Sequence, residues 1–378
     1  MIAGNVKPAA QHIAIFVPSL GGGGVERVVA MLANAFVERD RRVDVVLIAA
    51  CGVNISALNK EVRIVNLGCT NANSAIYLAR YLKKEAPDVI LSTMDIFNVV
   101  ASVAWLIAGR KMPLVWSSHT HMSTRARSGR RIYHRLVPKF VRLFYPTVSG
   151  WIAVSRGVAE DLSATVQIPS AALDIIHNPV KVPEEAHGSI LHPHPWLRSG
   201  EPPVILSIGR LIPEKGHHYL LRAFSYIRRT QDVRLIVLGE GPERGDLEAL
   251  AQDLGIQDAV DLVGFVADPF SYLRQARMFV LSSTVEGFGV VLVEALACGC
   301  AIVSTDCPGG PAEILDGGRF GKLVPVGDVH ALAKAIEDTL GESPSPSKQK
   351  QRAAIFDIDI VAEKYLDVLD AAAQSNGA

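Results

Sequence analysis

Residues 12–38 read HIAIFVPSLGGGGVERVVAMLANAFVE, and this stretch decides the fold class. His12 to Pro18 is a short, almost unbroken apolar run, as expected of a strand buried on both faces. Four glycines, Gly21 to Gly24, follow it, and apolar residues then recur at helical spacing from Val25 to Glu38. A strand, a glycine turn and an amphipathic helix form the opening half of a βαβ unit.

The same rhythm continues along the chain. Val43 to Ala49, Val62 to Leu67, Val89 to Ser92, Leu114 to Ser117 and Trp151 to Val154 read as strands. Ser74 to Glu85 and Val158 to Leu162 read as helices, and the apolar stretch Val99 to Gly109 as a buried helix. That stretch is about half the ~20 residues needed to span a bilayer. Five prolines between Pro183 and Pro203 then break the pattern. A second β/α series follows, with strands at Val204 to Ile208, Leu235 to Leu238, Val260 to Val263, Met278 to Ser282, Ala301 to Ser304 and Lys322 to Val324. Between them lie helices at Gly216 to Arg229, Glu243 to Leu254, Pro269 to Gln275, Val290 to Cys298 and Val329 to Leu340. The Ser-Pro run at 343–347 reads as a solvated loop, and Ile360 to Ala373 as a terminal helix. The fold expected is α/β, with two doubly wound Rossmann-like domains facing each other across a cleft. The first spans 1–182, a linker runs over 183–203, and the second spans 204–355. The final helix, within 356–378, is expected to pack back on the first domain.

Composition narrows the function. The chain of 378 residues is 49% hydrophobic and 20% charged, which argues against disorder. Its net charge of zero provides no global field toward nucleic acid. That zero conceals an asymmetry, because residues 1–178 hold 20 Lys/Arg against 11 Asp/Glu and the remainder carries the opposite surplus. Five cysteines without a C-x-x-C pair suggest neither a disulfide framework nor a zinc site, and fit a reducing cytoplasm. The N-terminus has no signal-peptide pattern.

Three segments carry candidate chemistry. The backbone N–H groups of the Gly21 to Gly24 turn suit an anion, although a tight turn without a ligand fits too. The dinucleotide pattern G-x-G-x-x-G fails here, because Glu26 occupies the position of the third glycine. Ser207-Ile-Gly-Arg210-Leu-Ile-Pro-Glu-Lys215-Gly216 ends a strand with two cations, suited to a diphosphate or simply solvated. In Ser282-Ser-Thr-Val-Glu286-Gly-Phe288-Gly289-Val290-Val-Leu-Val-Glu294, the N–H groups near Phe288 to Val290 open toward an anion or sugar hydroxyl. Glu294 lies in an otherwise apolar helix and needs a partner, either the diol of a ribose or a core ion pair.

Together the E-x7-E spacing of Glu286 and Glu294, the SIGRLIPEKG segment, the glycine loop and the Asn178-Pro179-Val180 turn resemble family 4 of the retaining glycosyltransferases. The resemblance spans nearly the whole chain and implies the GT-B fold. It implies that Arg210 and Lys215 bind the donor diphosphate, Glu294 the ribose, and Glu286 the donor sugar, with Phe288, Gly289 and Val290 alongside. It further implies that Gly22 and Gly23 approach the phosphate and acceptor, and that His119 in Trp116-Ser-Ser-His119 lies near the transferred sugar. Gly241 and Val266, in Gly239-Glu-Gly241-Pro and Gly264-Phe-Val266, would flank the base. A histidine in isolation is more often structural. Cys307-Pro-Gly-Gly-Pro-Ala-Glu-Ile314 resembles members that build bacterial surface glycans.

The expected reaction is metal-free, cofactor-free transfer of a hexose or N-acetylhexosamine, with retention, from a nucleotide-diphosphate sugar to a lipid-linked or oligosaccharide acceptor. A UDP-sugar is favoured over GDP-mannose. Rival readings on the same fold are a nucleotide-sugar epimerase, a phosphorylase needing pyridoxal, and an inactive nucleotide-sugar-binding protein. The segment at 125–144, RARSGRRIYHRLVPKFVRLF, holds seven Lys/Arg and no acid. It suits an anionic membrane surface or a solvated face packed on its own domain, and Pro138 argues against one continuous helix. The protein is expected in the cytoplasm, peripheral to the membrane if that segment binds it.

Overall fold

The computed structural model describes residues 9–128, 133–181, 193–343 and 345–375. The chain divides into two compact units, Met1–Lys181 with Phe356–Ala378, and Val182–Ile355.

The first unit is built from β1 (His12–Val17), α1 (Gly24–Val37), β2 (Arg42–Leu47), β3 (Arg63–Asn66), α2 (Ser74–Glu85), β4 (Val89–Thr93) and α3 (Asp95–Ala108). It continues with β5 (Leu114–Ser118), α4 (Met122–Ser128), α5 (Tyr133–Phe144), β6 (Gly150–Ala153), α6 (Arg156–Val166) and β7 (Asp174–Ile175). Its seven-stranded parallel sheet has the order β3-β2-β1-β4-β5-β6-β7. All six residues of β1 are buried, because helices cover both faces of its sheet. On α1, Val28, Val29, Leu32, Ala33 and Phe36 form the buried stripe that the sequence spacing implies. Each large apolar side chain so buried contributes roughly 1.5–3 kcal/mol.

The second unit contains β8 (Val204–Ile208), α7 (His217–Ile227), β9 (Arg234–Leu238), α8 (Arg244–Asp253), β10 (Val260–Gly264), α9 (Phe270–Leu273) and β11 (Met278–Leu281). Then come α10 (Val290–Ala297), β12 (Ala301–Thr305), α11 (Pro311–Ile314), β13 (Lys322–Val324), α12 (Val329–Gly341) and α13 (Pro346–Ala353). Its six-stranded parallel sheet has the order β10-β9-β8-β11-β12-β13. The last helix, α14 (Ile358–Ser375), returns to the first unit and packs on α1, β4, β5 and β6. Arg39 pairs with Asp359 at 2.9 Å and Glu363 at 2.6 Å, and Arg41 with Asp370 at 2.9 Å.

Two sequence expectations need correction. The Ser-Pro run is not wholly loop, because Pro346 and Ser347 open α13. Proline suits the first turn of a helix, where its missing N–H costs no hydrogen bond. Pro138 does not end a helix either, since α5 runs through it. The basic segment is divided upstream instead, into α4 and α5, and residues 129–132 between them lie outside the described residues. The linker expectation at 183–203 likewise falls partly outside them, over 183–192.

Candidate active site

In a doubly wound sheet, ligands bind at the carboxyl ends of the strands where the order reverses. In the second sheet that switch falls between β8 and β11. The loop after β8 carries Arg210 and Lys215, and the loop after β11 carries Ser282 to Gly289. Topology alone therefore brings together two segments some seventy residues apart.

Backbone bonds fasten the two loops. Thr284 N donates to Glu214 O at 2.8 Å, and Ser282 Oγ donates to Lys215 O at 3.0 Å. Gly216 has φ +62° and caps α7, and a Cβ there would run into Ser282 O. Only glycine suits both that backbone conformation and that close approach. Glu286 Oε1 accepts from Lys215 Nζ at 2.5 Å and from Ser283 Oγ at 2.7 Å. The Lys215 side chain is 20% exposed and that of Glu286 10%, so the pair lies at the wall of the site rather than in bulk water. Arg210, by contrast, is exposed, and its guanidinium makes no hydrogen bond or ion pair with any described residue.

Behind the pair, His217 is 2% exposed, and neither ring nitrogen completes a hydrogen bond among the described residues. Burial and the Lys215 charge push its imidazole down to about 4, against an opposing pull from the backbone of Arg210 and Gly209. The Cys307 thiol is pushed up to about 12, mainly by burial. Both groups are therefore neutral at pH 7.

Phe288 is buried and Gly289, at φ +97°, caps α10, whose first residue is Val290. Glu294 lies on the same helix and is 4% exposed. The 307–311 stretch is the buttress of this loop. Glu286 N donates to Pro308 O at 3.0 Å, while a Cβ on Gly309 or Gly310 would collide with Glu286 O or Phe288 O. Gly241 and Val266 lie on the loops after β9 and β10. Leu211 N donates to Glu240 O at 2.9 Å and Gly239 N to Gly264 O at 2.8 Å, so these loops are laced to the one bearing Arg210.

The remaining candidates occupy the carboxyl edge of the first sheet. Gly22 and Gly23 lie in the turn before α1, where Gly23 is the cap residue and the Glu26 carboxylate lies over it. His119 follows β5, is 6% exposed, and its Nε2 lies 3.0 Å from Ser117 Oγ, which in turn lies 3.4 Å from the Tyr365 hydroxyl of α14. Burial pushes its imidazole down to about 4, while the Asn178 side chain beside it pulls the other way. Sequence reasoning missed Ser283, Thr305 (whose Oγ1 donates to Ser283 O at 2.5 Å), His217 and Tyr365. Ser283 and His217 stand next to residues already singled out, and that adjacency was the available signal.

Residues 192–355 match the model of the glycosyl transferases of group 1, and residues 22–183 that of glycosyltransferase family 4. A Campylobacter jejuni relative, N-acetylgalactosamine-N,N'-diacetylbacillosaminyl-diphospho-undecaprenol 4-alpha-N-acetylgalactosaminyltransferase, is 32% identical over 376 residues, covering 95% of this chain and 99% of its own. The chain is a family 4 glycosyltransferase. A second C. jejuni relative of this glycosyltransferase, an alpha-1,4-N-acetyl-D-galactosaminyltransferase acting on a diphospho-undecaprenol-linked glycan, is 25% identical over 374 residues, 94% and 98% of the two chains. Among solved structures, Anabaena HepE with UDP and glucose superposes with a TM-score of 0.78 at 23% identity, over 95% of this chain and 99% of its own. The lipopolysaccharide galactosyltransferase WaaB does so with 0.71 at 19%, over 94% and 98%. These two show the fold, GT-B, with its two Rossmann-like domains.

Proposed function

We propose that this glycosyltransferase moves a hexose or N-acetylhexosamine from a UDP-sugar to a lipid-diphosphate-linked acceptor in bacterial surface glycan assembly, with retention and without a metal. The observation that carries the donor side is the convergence of Arg210 and Lys215 with the Glu286 loop at the switch point of the second sheet. The acceptor class is supported by the full-length match to a C. jejuni enzyme whose acceptor is a diphospho-undecaprenol glycan.

In the reaction, the bond from the sugar C1 to the β-phosphate oxygen breaks and a bond from C1 to the acceptor oxygen forms on the same face. The acceptor proton passes to the departing phosphate, and the electron pair of the broken bond stays on that phosphate. Arg210, Lys215 and the N–H groups at the start of α10 face the charge that grows there, and Glu294 accepts from the ribose diol. Glu286 contacts the transferred sugar; the family resemblance gives His119 a role with that sugar, for which it is available as a neutral imidazole. Gly22 and Gly23 allow the close approach of phosphate and acceptor, and Gly241 and Val266 flank the base.

On α5, Leu136 (40% exposed), Phe140 (46%) and Leu143 (66%) recur at helical spacing beside Arg135, Lys139 and Arg142. This face is proposed to rest on an anionic membrane surface. No helix among the described residues is long and apolar enough to cross a membrane. A thermal-shift panel of nucleotide sugars tests the donor. A UDP-sugar at 100 times its Kd adds ~2.7 kcal/mol of stability, and stabilisation by GDP-mannose alone would overturn the UDP assignment. Turnover in excess chelator tests metal independence, and full loss of activity there would refute it.

A further inference from the structure

Of the two cations on the loop after β8, Arg210 is exposed and unpaired among the described residues, whereas Lys215 is already bound. Its ammonium lies 2.5 Å from Glu286 Oε1, the oxygen that also accepts from Ser283 Oγ at 2.7 Å. Two buried neighbours add no charge of their own. His217, on the first turn of α7, and Cys307, on the loop after β12, are both held neutral at pH 7 by burial. Lys215 and Glu286 are thus one cation matched by one anion.

A diphosphate that reaches Lys215 must compete with that carboxylate. Two anions on one ammonium repel each other, and the partly desolvated setting strengthens the repulsion. We propose that Glu286 holds the place of the donor's phosphate oxygen on Lys215 and weakens the grip on the spent nucleoside diphosphate, promoting its release. This rests on the reading of Arg210 and Lys215 as the diphosphate-binding pair. While the sugar is attached, its hydroxyls give the carboxylate other donors. Once the sugar has gone, Ser283 alone remains, and Glu286 returns to Lys215. The residue therefore discriminates between donor and product, in addition to contacting the sugar.

The test is a calorimetric cycle on the full chain with UDP and, in parallel, GDP as probes. Glu286→Gln keeps the side-chain shape and removes the competing charge. It is expected to bind the nucleoside diphosphate about tenfold more tightly, within the range of coupling between contacting residues, while turnover falls. Glu286→Asp, one methylene shorter, is expected to lie between Gln and wild type. Lys215→Ala is expected to bind the probe at least tenfold more weakly, and in Lys215→Ala/Glu286→Gln the gain from Gln should disappear. If Glu286→Gln binds no more tightly than wild type while Lys215→Ala binds weakly, the competition is disproved and the diphosphate site survives. If Lys215→Ala binds both probes as wild type does, the diphosphate reading fails and the competition falls with it.

Discussion

The carboxyl edges of the two sheets share a topology and differ in chemistry. Each has a loop that enters a helix beside the switch point, and each has a buried histidine held neutral, His119 in the first unit and His217 in the second. On the loops after β8 and β11 of the second sheet, Lys215 is paired to Glu286 and Arg210 is open. At the first edge, His119 stands in a relay of neutral hydroxyls with Ser117 and Tyr365. Because the strand order reverses in the same way in both sheets, the difference arises from the loops. The scaffold fixes where a ligand sits, and the loop residues fix which charge it carries.

The sharpest way to break this contrast is Lys215→Ala. Loss of one preorganised donor to the leaving group is expected to lower kcat by about 10²–10³, while the melting transition stays cooperative. Near-normal turnover would place the leaving-group chemistry elsewhere.

The two histidines offer a test of what the edges share. Burial pushes each imidazole down to about 4, below the ordinary 6.5, so at pH 7 both are largely neutral in the folded and unfolded chain. As pH falls below 6.5 the unfolded chain takes up protons first, and the stability these residues contribute is lost progressively until pH reaches about 4. The full effect is roughly 3 kcal/mol for each histidine. His119→Gln and His217→Gln should each flatten the fall in denaturation midpoint between pH 7 and 4.5. An unchanged slope would mean that the histidine is not held neutral.

Gly309 sharpens the contrast from the side of the backbone. It has φ +124°, and a Cβ would strike Glu286 O. Gly309→Ala is expected to cost about 1–3 kcal/mol of stability and to lower turnover by displacing Glu286. Gly24→Ala, at the first residue of α1 behind the glycine turn of the first unit, meets nothing within 4 Å and should be nearly silent in urea denaturation. Equal effects at the two positions would remove the distinction between a buttressed loop and an open one.

The smallest effect per residue concerns α5, a feature of the first unit. Neutralising Arg135 and Lys139 is expected to weaken binding to anionic vesicles by about 1 kcal/mol per residue, with the melting temperature unchanged. Undiminished sedimentation with the vesicles would reject the membrane face.

Both sheets were legible in the sequence because parallel strands covered on both faces are short apolar runs, and helices such as α1 keep a clear stripe. The loops with Arg210, Lys215 and Glu286 were legible as motifs. Their pairing was not, since Lys215 and Glu286 meet only through the β8–β11 neighbourhood, which no local pattern encodes. The role of Gly309 and Gly310 was hidden for the same reason: the atoms they make room for belong to a loop more than twenty residues earlier. Pro346 misled because proline is at home in the first turn of a helix, and composition does not give that place; Pro138 misled because α5 carries a proline in its interior without ending there.

A crystal structure of the chain with UDP decides whether the diphosphate lies on Arg210 and Lys215. Diphosphate oxygens are expected within hydrogen-bonding distance of the Arg210 guanidinium and Lys215 Nζ, with the ribose hydroxyls on Glu294. A diphosphate held by other groups, with both cations turned into solvent, would contradict it.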